Sequence, residues 1–261
     1  MLSKFLRRIN KIFFYYKLYF LINRKSIKKE SVEFLGSSYG GWYLKKDKKL
    51  YNSIIISAGL GEDASFDVGF INKYNAKVLL VDPTPKAIIH FKSILSSKGK
   101  ARIKRYKKNS GKQDPSSYNL KKISKNNFIL IKKALFNSNN KLVKFYPPHD
   151  PNHVSCSLKN NSNLKNTILV KTITVKNIMQ SYNIKEISLI KLDIEGAEIE
   201  VIKNFISDKI FPTQILVEFD ELRNFSKKSI EQFLKIHRLL IKNSYRSIKI
   251  NNFPCFLFTK K

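Results

Sequence analysis

Short apolar runs alternate with segments whose apolar residues recur every three or four positions along most of this chain. Residues 53–57 (Ser-Ile-Ile-Ile-Ser) form the first run and end at glycines. Phe66, Phe70, Ile71 and Tyr74 then mark one face of a helix. Residues 78–81 are a second run, stopped by Asp82 and Pro83, and residues 86–96 predict a helix. Strands are predicted at 128–131, 134–136 and 142–145, the last two joined through a turn at 137–140. Residues 188–194 predict another strand, with a helix from about Ala197. A strand at 214–219 and helical periodicity at 229–242 follow, and 245–250 with 255–258 predict a closing hairpin. Strands alternating with helices predict a doubly wound, mostly parallel α/β sheet with an antiparallel edge.

Two stretches break this pattern. Residues 1–30 carry nine lysines and arginines against Glu30 alone, with Leu2, Phe5, Leu6, Ile9, Ile12, Phe13, Tyr16 and Phe20 at helical spacing. The apolar run 13–22 is short for a bilayer span and is interrupted by Lys17. No small-residue cleavage site follows it. A basic, aromatic, amphipathic helix suits peripheral contact with an anionic membrane; the alternative is a helix packed on the main domain. Residues 98–125 are dense in lysine and arginine, with Asp114 the sole acid, and read as a solvated loop or insertion. The expected organisation is a basic N-terminal segment, 1–30, and one domain, 31–261.

Charge and cysteine content narrow the setting. Fifty Lys+Arg against 19 Asp+Glu leave a net +31, which favours anionic partners. Lysine far outnumbers arginine, however, and specific phosphate readers favour the bidentate guanidinium. Abundant lysine, asparagine and isoleucine also follow from an AT-rich coding sequence, so the charge does not by itself assign a partner. Two cysteines, Cys156 and Cys255, are too few for a disulfide framework and fit a cytoplasmic protein, free or peripheral at the membrane.

The candidate chemistry lies where strands end. Gly59-Leu60-Gly61 sits at the first strand-to-helix turn, where glycines permit a tight turn and close ligand approach. Asp82 ends the next strand and is placed to accept hydrogen bonds from both ribose hydroxyls of a nucleoside cofactor. Glu62 and Asp63 occupy the place where a pyrophosphate would rest against the helix N-terminus and would repel it. They suit a cationic cofactor better. Lys191, Asp193 and Glu195 are expected on one face of a strand whose other face is apolar; such charges require partners or a ligand cavity. Glu218 ends the following strand. His153 lies in a proline-rich loop. Asp193, Glu195, Glu218 and His153 are the candidate general bases. Carboxylates could instead hold Mg²⁺, but no metal is assigned, and no zinc spacing is present.

The segment Lys191-x-Asp193-x-Glu195-Gly196-x-Glu198 resembles the signature of the FkbM family of methyltransferases. Ser-Ala-Gly-Leu-Gly-Glu-Asp-Ala-Ser-Phe-Asp at 57–67, Val-Asp-Pro-Thr-Pro at 81–85, His-Val-Ser-Cys-Ser at 153–157 and Val-Glu-Phe at 217–219 agree with a subgroup of it in order. The resemblance covers about residues 50–260, leaving out 1–30 and the basic loop at 98–125. It implies a Rossmann-like class I methyltransferase sheet with an antiparallel C-terminal edge hairpin. It also implies S-adenosyl-L-methionine as cofactor and O-methylation of a sugar, glycan or small metabolite. Gly59, Gly61, Glu62, Asp63 and Asp82 are then the cofactor-binding candidates. A nucleic-acid methyltransferase is disfavoured, because the Asn/Asp-Pro-Pro-aromatic motif of DNA amino-methyltransferases is replaced by Asp193-Ile194-Glu195-Gly196. An inactive membrane-surface protein that keeps the fold is disfavoured by the intact glycines and acids.

Overall fold

The computed structural model describes residues 31–146, 167–223, 226–248, 250 and 252–261. The segment 1–30 and the loop that holds His153 and Cys156 lie outside the described residues, as does the amphipathic reading of that segment.

A hairpin comes first, β1 (Val32–Leu35) and β2 (Trp42–Lys45). The main sheet has seven strands: β3 (Ile54–Ala58), β4 (Lys77–Val81), β5 (Phe128–Ile131), β9 (Leu189–Leu192), β10 (Gln214–Glu218), β11 (Tyr245–Ile248) and β12 (Cys255–Lys260). Their order is β11-β12-β10-β9-β3-β4-β5. The pairs β10–β9, β9–β3, β3–β4 and β4–β5 are parallel, while β12 runs antiparallel to both β10 and β11. This is the expected mostly parallel α/β sheet, closed by the antiparallel hairpin β11–β12. A second sheet has the order β6-β8-β7, from β6 (Ala134–Leu135), β7 (Leu142–Phe145) and β8 (Ile168–Ile173). The strand β8 was not legible in the sequence. It separates β6 from β7, so these two do not pair across the turn at 137–140 as expected.

The helices are α1 (Ser65–Tyr74), α2 (Pro85–Ser96), α3 (Val175–Ser181), α4 (Glu198–Ser207) and α5 (Lys227–Lys242). Strand alternation distributes the core between the two faces of the main sheet. On one face Ile56, Ala58, Leu79, Val81, Ile190, Leu192, Ile215 and Val217 pack against α3, α4 and α5. On the other, Ile55, Val78, Leu80, Leu189 and Leu216 pack against α1, α2 and the β1–β2 hairpin. The hairpin is locked down by buried Gln214, whose amide accepts from Lys45 N (2.9 Å) and donates to Lys45 O (2.7 Å). Among the described residues no helix is long and apolar enough to cross a membrane.

Residues 98–125 are not simply solvated. Their lysines and arginines are exposed, but Gln113, Ser117, Tyr118, Leu120 and Ile123 are buried. The Tyr118 hydroxyl accepts from Ala64 N (3.0 Å) and lies 2.9 Å from His90 Nε2. Burial lowers His90 to about 4, so the ring is neutral and shares one hydrogen bond with the Tyr118 phenol. One hydroxyl thus joins the strap, α2 and the N-terminus of α1. Tyr118→Phe removes it and leaves the buried Ala64 N–H unpaired; the expected loss is about 1–3 kcal/mol. Urea unfolding of the two proteins measures it, and equal midpoints with equal slopes would refute the role. His90 adds a pH signature. The unfolded ring takes up a proton below its ordinary value of 6.5 and the folded ring only near 4. Its contribution to stability is therefore present above pH 6.5 and is lost as pH falls toward 4.

Candidate functional site

The C-terminal ends of β3, β4, β9 and β10 converge on one crevice, the place where open α/β sheets bind ligands. Its floor is the turn at 59–61. Gly59 has φ +85°, and a Cβ there would stand 1.9 Å from the Asp193 carbonyl oxygen, so no other residue fits. Asp82 grips the turn: its Oδ2 accepts from Leu60 N (2.9 Å) and Gly61 N (3.0 Å). Asp82 Oδ1 accepts from Thr84 N (2.8 Å) and Thr84 Oγ1 (2.7 Å). A carboxylate has about four acceptor sites, and the protein's own donors fill them. The structure therefore makes Asp82 a clamp on the turn, whereas the sequence suggested a free ribose acceptor.

Glu62 and Asp63 also have structural partners. Asp63 Oδ1 accepts from Ser65 N (2.8 Å) at the start of α1, and Oδ2 accepts from Ser37 Oγ (2.6 Å) in the hairpin loop. Glu62 faces Lys112 at 3.5 Å. Both acids sit at the crevice as expected, but both also hold neighbouring segments in place.

Beneath the turn lies Lys191, 4% exposed on β9. Its Nζ donates to Gly59 O at 2.7 Å and lies 3.5 Å from Ala58 O. Trp42 of the hairpin covers it, with the ring centroid 5.4 Å from Nζ. Ser57 is its register partner on β3, and Asp67 of α1 is close by. Burial pushes the Asp67 carboxyl up to about 6, against the opposing pull of Lys191. The Ser57 hydroxyl faces the Asp67 carboxyl and also opposes that rise.

The acids expected on one strand face are arranged differently. β9 ends at Leu192, so Asp193 and Glu195 lie in the loop beyond it. Asp193 is only 3.8 Å from Lys191 and keeps its side chain one-third exposed (33%). Glu195 is forced into the left-handed region at φ +51°, followed by Gly196 at +101°. Buried Glu198 imposes this shape by accepting from Ile194 N (3.2 Å) and Gly196 N (2.9 Å). Strand alternation therefore places Lys191 correctly but does not reach Glu195.

Glu218, at the end of β10, completes the acidic wall. Burial, then the charge of Asp193, push its carboxyl up to about 7, while Arg223 pulls it down and Glu195 adds to the rise. Arg223 hydrogen-bonds Glu218 directly. Cys255, opposite Glu218 across the β10–β12 ladder, offers its thiol at 3.8 Å. Tyr39, half-exposed in the hairpin loop, sits at the mouth. Partial burial, then Asp193, raises its phenol above the ordinary range; Glu195 and Glu218 add to this and Arg223 opposes it. Lys191, Asp193, Glu195 and Glu218 are thus brought together. Tyr39, Trp42, Glu198 and Arg223 escaped the sequence reading, and only Glu198 carried a signal, as the last acid of the charged motif. Among the described residues no group of His, Cys, Asp or Glu side chains is arranged to hold a metal ion.

With this geometry established, comparison with known proteins gives a family. The Methyltransferase FkbM domain matches residues 66–247, more than half of the chain. Similar solved structures include a fibrillarin/Nop5p complex (10% identity, TM-score 0.42, covering 84% of this chain and 75% of that chain). Another is the Methanococcus jannaschii fibrillarin pre-rRNA processing protein (11% identity, TM-score 0.37, covering 92% and 86%). No curated protein matches the sequence.

The loose, partly exposed pairing of Lys191 with Asp193, at 3.8 Å, has a measurable consequence. Asp193→Asn should shift stability by under about 1 kcal/mol, as for a solvent-screened pair, because the Gly59 and Ala58 carbonyls remain as acceptors for Lys191. A loss of several kcal/mol in thermal melting would show instead that Asp193 is the buried partner of that lysine.

Proposed function

Because this chain belongs to the FkbM methyltransferase family, we propose that it transfers a methyl group from S-adenosyl-L-methionine to a hydroxyl of a sugar, glycan or small metabolite. The observation that carries the choice of cofactor is the direction of the loop amides. A dinucleotide needs free N–H groups at this turn for its pyrophosphate. Here Leu60 N and Gly61 N donate to Asp82 instead. The surrounding charges are acidic, from Glu62 to Glu218. That donor set repels a pyrophosphate and attracts the sulfonium and ammonium groups of S-adenosylmethionine. The Gly59 turn, with no room for a Cβ, provides the close backbone approach.

S-adenosylmethionine supplies an already activated methyl group. The chain's task is to position the acceptor, exclude water and take one proton. Glu218 is the best-tuned base among the described acids, since a carboxyl raised to about 7 can both hold and release a proton near neutrality. With the cofactor bound, its carboxylate would take the proton of the acceptor hydroxyl while that oxygen takes the methyl group and S-adenosylhomocysteine leaves with the sulfur–carbon bonding pair. Asp193 and Glu195 keep the wall negative beside the cationic donor. Asp82 serves the cofactor through the turn it holds by Leu60 N and Gly61 N.

Calorimetric titration with S-adenosylhomocysteine and NAD in parallel tests the cofactor assignment. Binding of the first and not the second is expected, and the reverse result would exclude the proposal. Glu218→Gln should retain S-adenosylhomocysteine affinity and slow single-turnover methylation of a sugar panel by about 10²-fold or more. The rate should rise with pH through about 7 as Glu218 loses its proton. Asp193→Asn should move that limb to lower pH by removing a charge that raises Glu218. A limb that stays in place in the Asp193 variant would remove Glu218 as the base.

A further inference from the structure

The interior of the crevice is acidic, but a different charge stands at its rim. The strap between α2 and β5 runs past Glu62 and reaches Tyr39. Its tip is a built turn. Gln113, 2% exposed, accepts from Lys107 N (2.8 Å) and donates to Lys107 O and Ser110 O (3.0 Å each). Gln113 N donates to Glu62 O at 2.9 Å, and Asn109 N donates to Ser38 Oγ at 3.3 Å. The turn is thereby docked on the glycine turn and on the hairpin loop together. A Cβ on Gly111 would stand 2.8 Å from the Tyr39 ring. That same Tyr39 feels Asp193, Glu195 and Glu218. Tyr39 therefore touches the strap and lies within electrostatic reach of the acidic wall.

The turn presents Arg105, Lys107 and Lys108, all exposed. Among the described residues no ion pair or side-chain hydrogen bond engages these three cations, whereas Lys104 and Lys112 are paired with Asp114 and Glu62. Arg102 is occupied over the Tyr106 ring, 4.2 Å from its centroid. A buried amide that fixes a turn carrying three unpaired cations beside a catalytic crevice is more than a solvated charge run.

We propose that this turn binds an anionic group of the acceptor, and that the acceptor is an acidic saccharide bearing carboxylate or sulfate. The acceptor role rests on the methyltransferase reading above; the binding of the anion does not. The dimensions favour a saccharide over a nucleic-acid strand. Three cations on one turn beside a single exposed aromatic match one or two sugar units, whereas strand binders track a backbone along a groove with several stacking platforms. Lysine point charges also suit a flexible carboxylate or sulfate without a base-reading fork.

The test uses the full chain and a heparin-derived tetrasaccharide, titrated by calorimetry at physiological ionic strength, where the screening length is about 8 Å. The variant Arg105→Gln, Lys107→Gln, Lys108→Gln should bind it about 10-fold or more weakly. A control with the same charge loss elsewhere, Lys144→Gln, Lys171→Gln, Lys235→Gln, should stay within about 3-fold of the parent because distant exposed charges are screened. Both should keep the parent affinity for S-adenosylhomocysteine. Equal weakening in the two variants would reduce the effect to the overall charge and overturn the proposal. So would equal binding of a neutral tetrasaccharide, no binding of the sulfated one, or tighter strap-dependent binding of a single-stranded oligonucleotide. Failure of the parent protein to bind S-adenosylhomocysteine would strike the cofactor assignment and leave the anion surface standing.

Discussion

A buried ammonium group under a glycine turn is the constraint around which the rest of this structure is arranged. An unpaired charge in an apolar layer is strongly unfavourable. Lys191 stands where the central sheet face would otherwise be apolar, between Leu189 and the Leu216 of the neighbouring strand. Its acceptors are the Gly59 and Ala58 carbonyls. The lysine can be accommodated only if the turn lies directly above it, and the turn can lie there only if Gly59 lacks a Cβ against the Asp193 backbone. Trp42 of the hairpin then covers the ammonium from the side. Asp82 holds the other side of the turn through Leu60 N and Gly61 N. A cation below and a carboxylate beside it fix the polarity of the crevice floor.

The helices that follow β3 and β9 start differently from the other three. Thr84, Thr174 and Ser226 cap α2, α3 and α5 with their side chains. The N-cap residues of α1 and α4, Ala64 and Ala197, make no side-chain cap. Their first turns are served from elsewhere, by Asp63 and Tyr118 at α1 and by Glu198 reaching back at α4. These borrowed contacts couple the helix starts to the loops of the site. Opposing titrations are built into the same region. Asp67, raised to about 6 from the ordinary 3.8, adds stability as pH falls through 6. His90 subtracts stability from 6.5 down to 4, so the two partly offset each other in mild acid.

Much of the fold was legible because the central strands are apolar on both faces and the helices carry clear periodicity. The alternation rule identified Lys191 as the anomaly on its strand, and the glycines identified the turn. Three things were hidden. The strand Ile168–Ile173 (Ile-Leu-Val-Lys-Thr-Ile) shows no regular apolar/polar alternation and follows a long polar stretch, so its pairing between β6 and β7 had no local signal. The hairpin Val32–Lys45 is held by Gln214, a contact 169 residues distant. Tyr118 and Gln113 were masked by the density of lysine around them. At the site, composition showed acids near the turn but not which atoms were already taken. Asp82 and Asp63 are each consumed partly by local donors and partly by donors that only the folded chain brings into reach, Leu60 N and Gly61 N for Asp82 and the Ser37 hydroxyl for Asp63. Glu195 was misjudged because the strand stops two residues earlier and Glu198 bends the loop.

The central claim is that Lys191 holds the turn at 59–61 in its binding shape. Amide hydrogen exchange of Leu60 and Gly61, compared between the parent protein and Lys191→Met, tests it most directly, with Ile56 and Leu79 as reference amides in the neighbouring strands. The account predicts that the two turn amides exchange much faster in the variant while the strand amides stay protected, and that S-adenosylhomocysteine affinity falls in step. Unchanged protection of Leu60 and Gly61 in a folded Lys191→Met protein would contradict it.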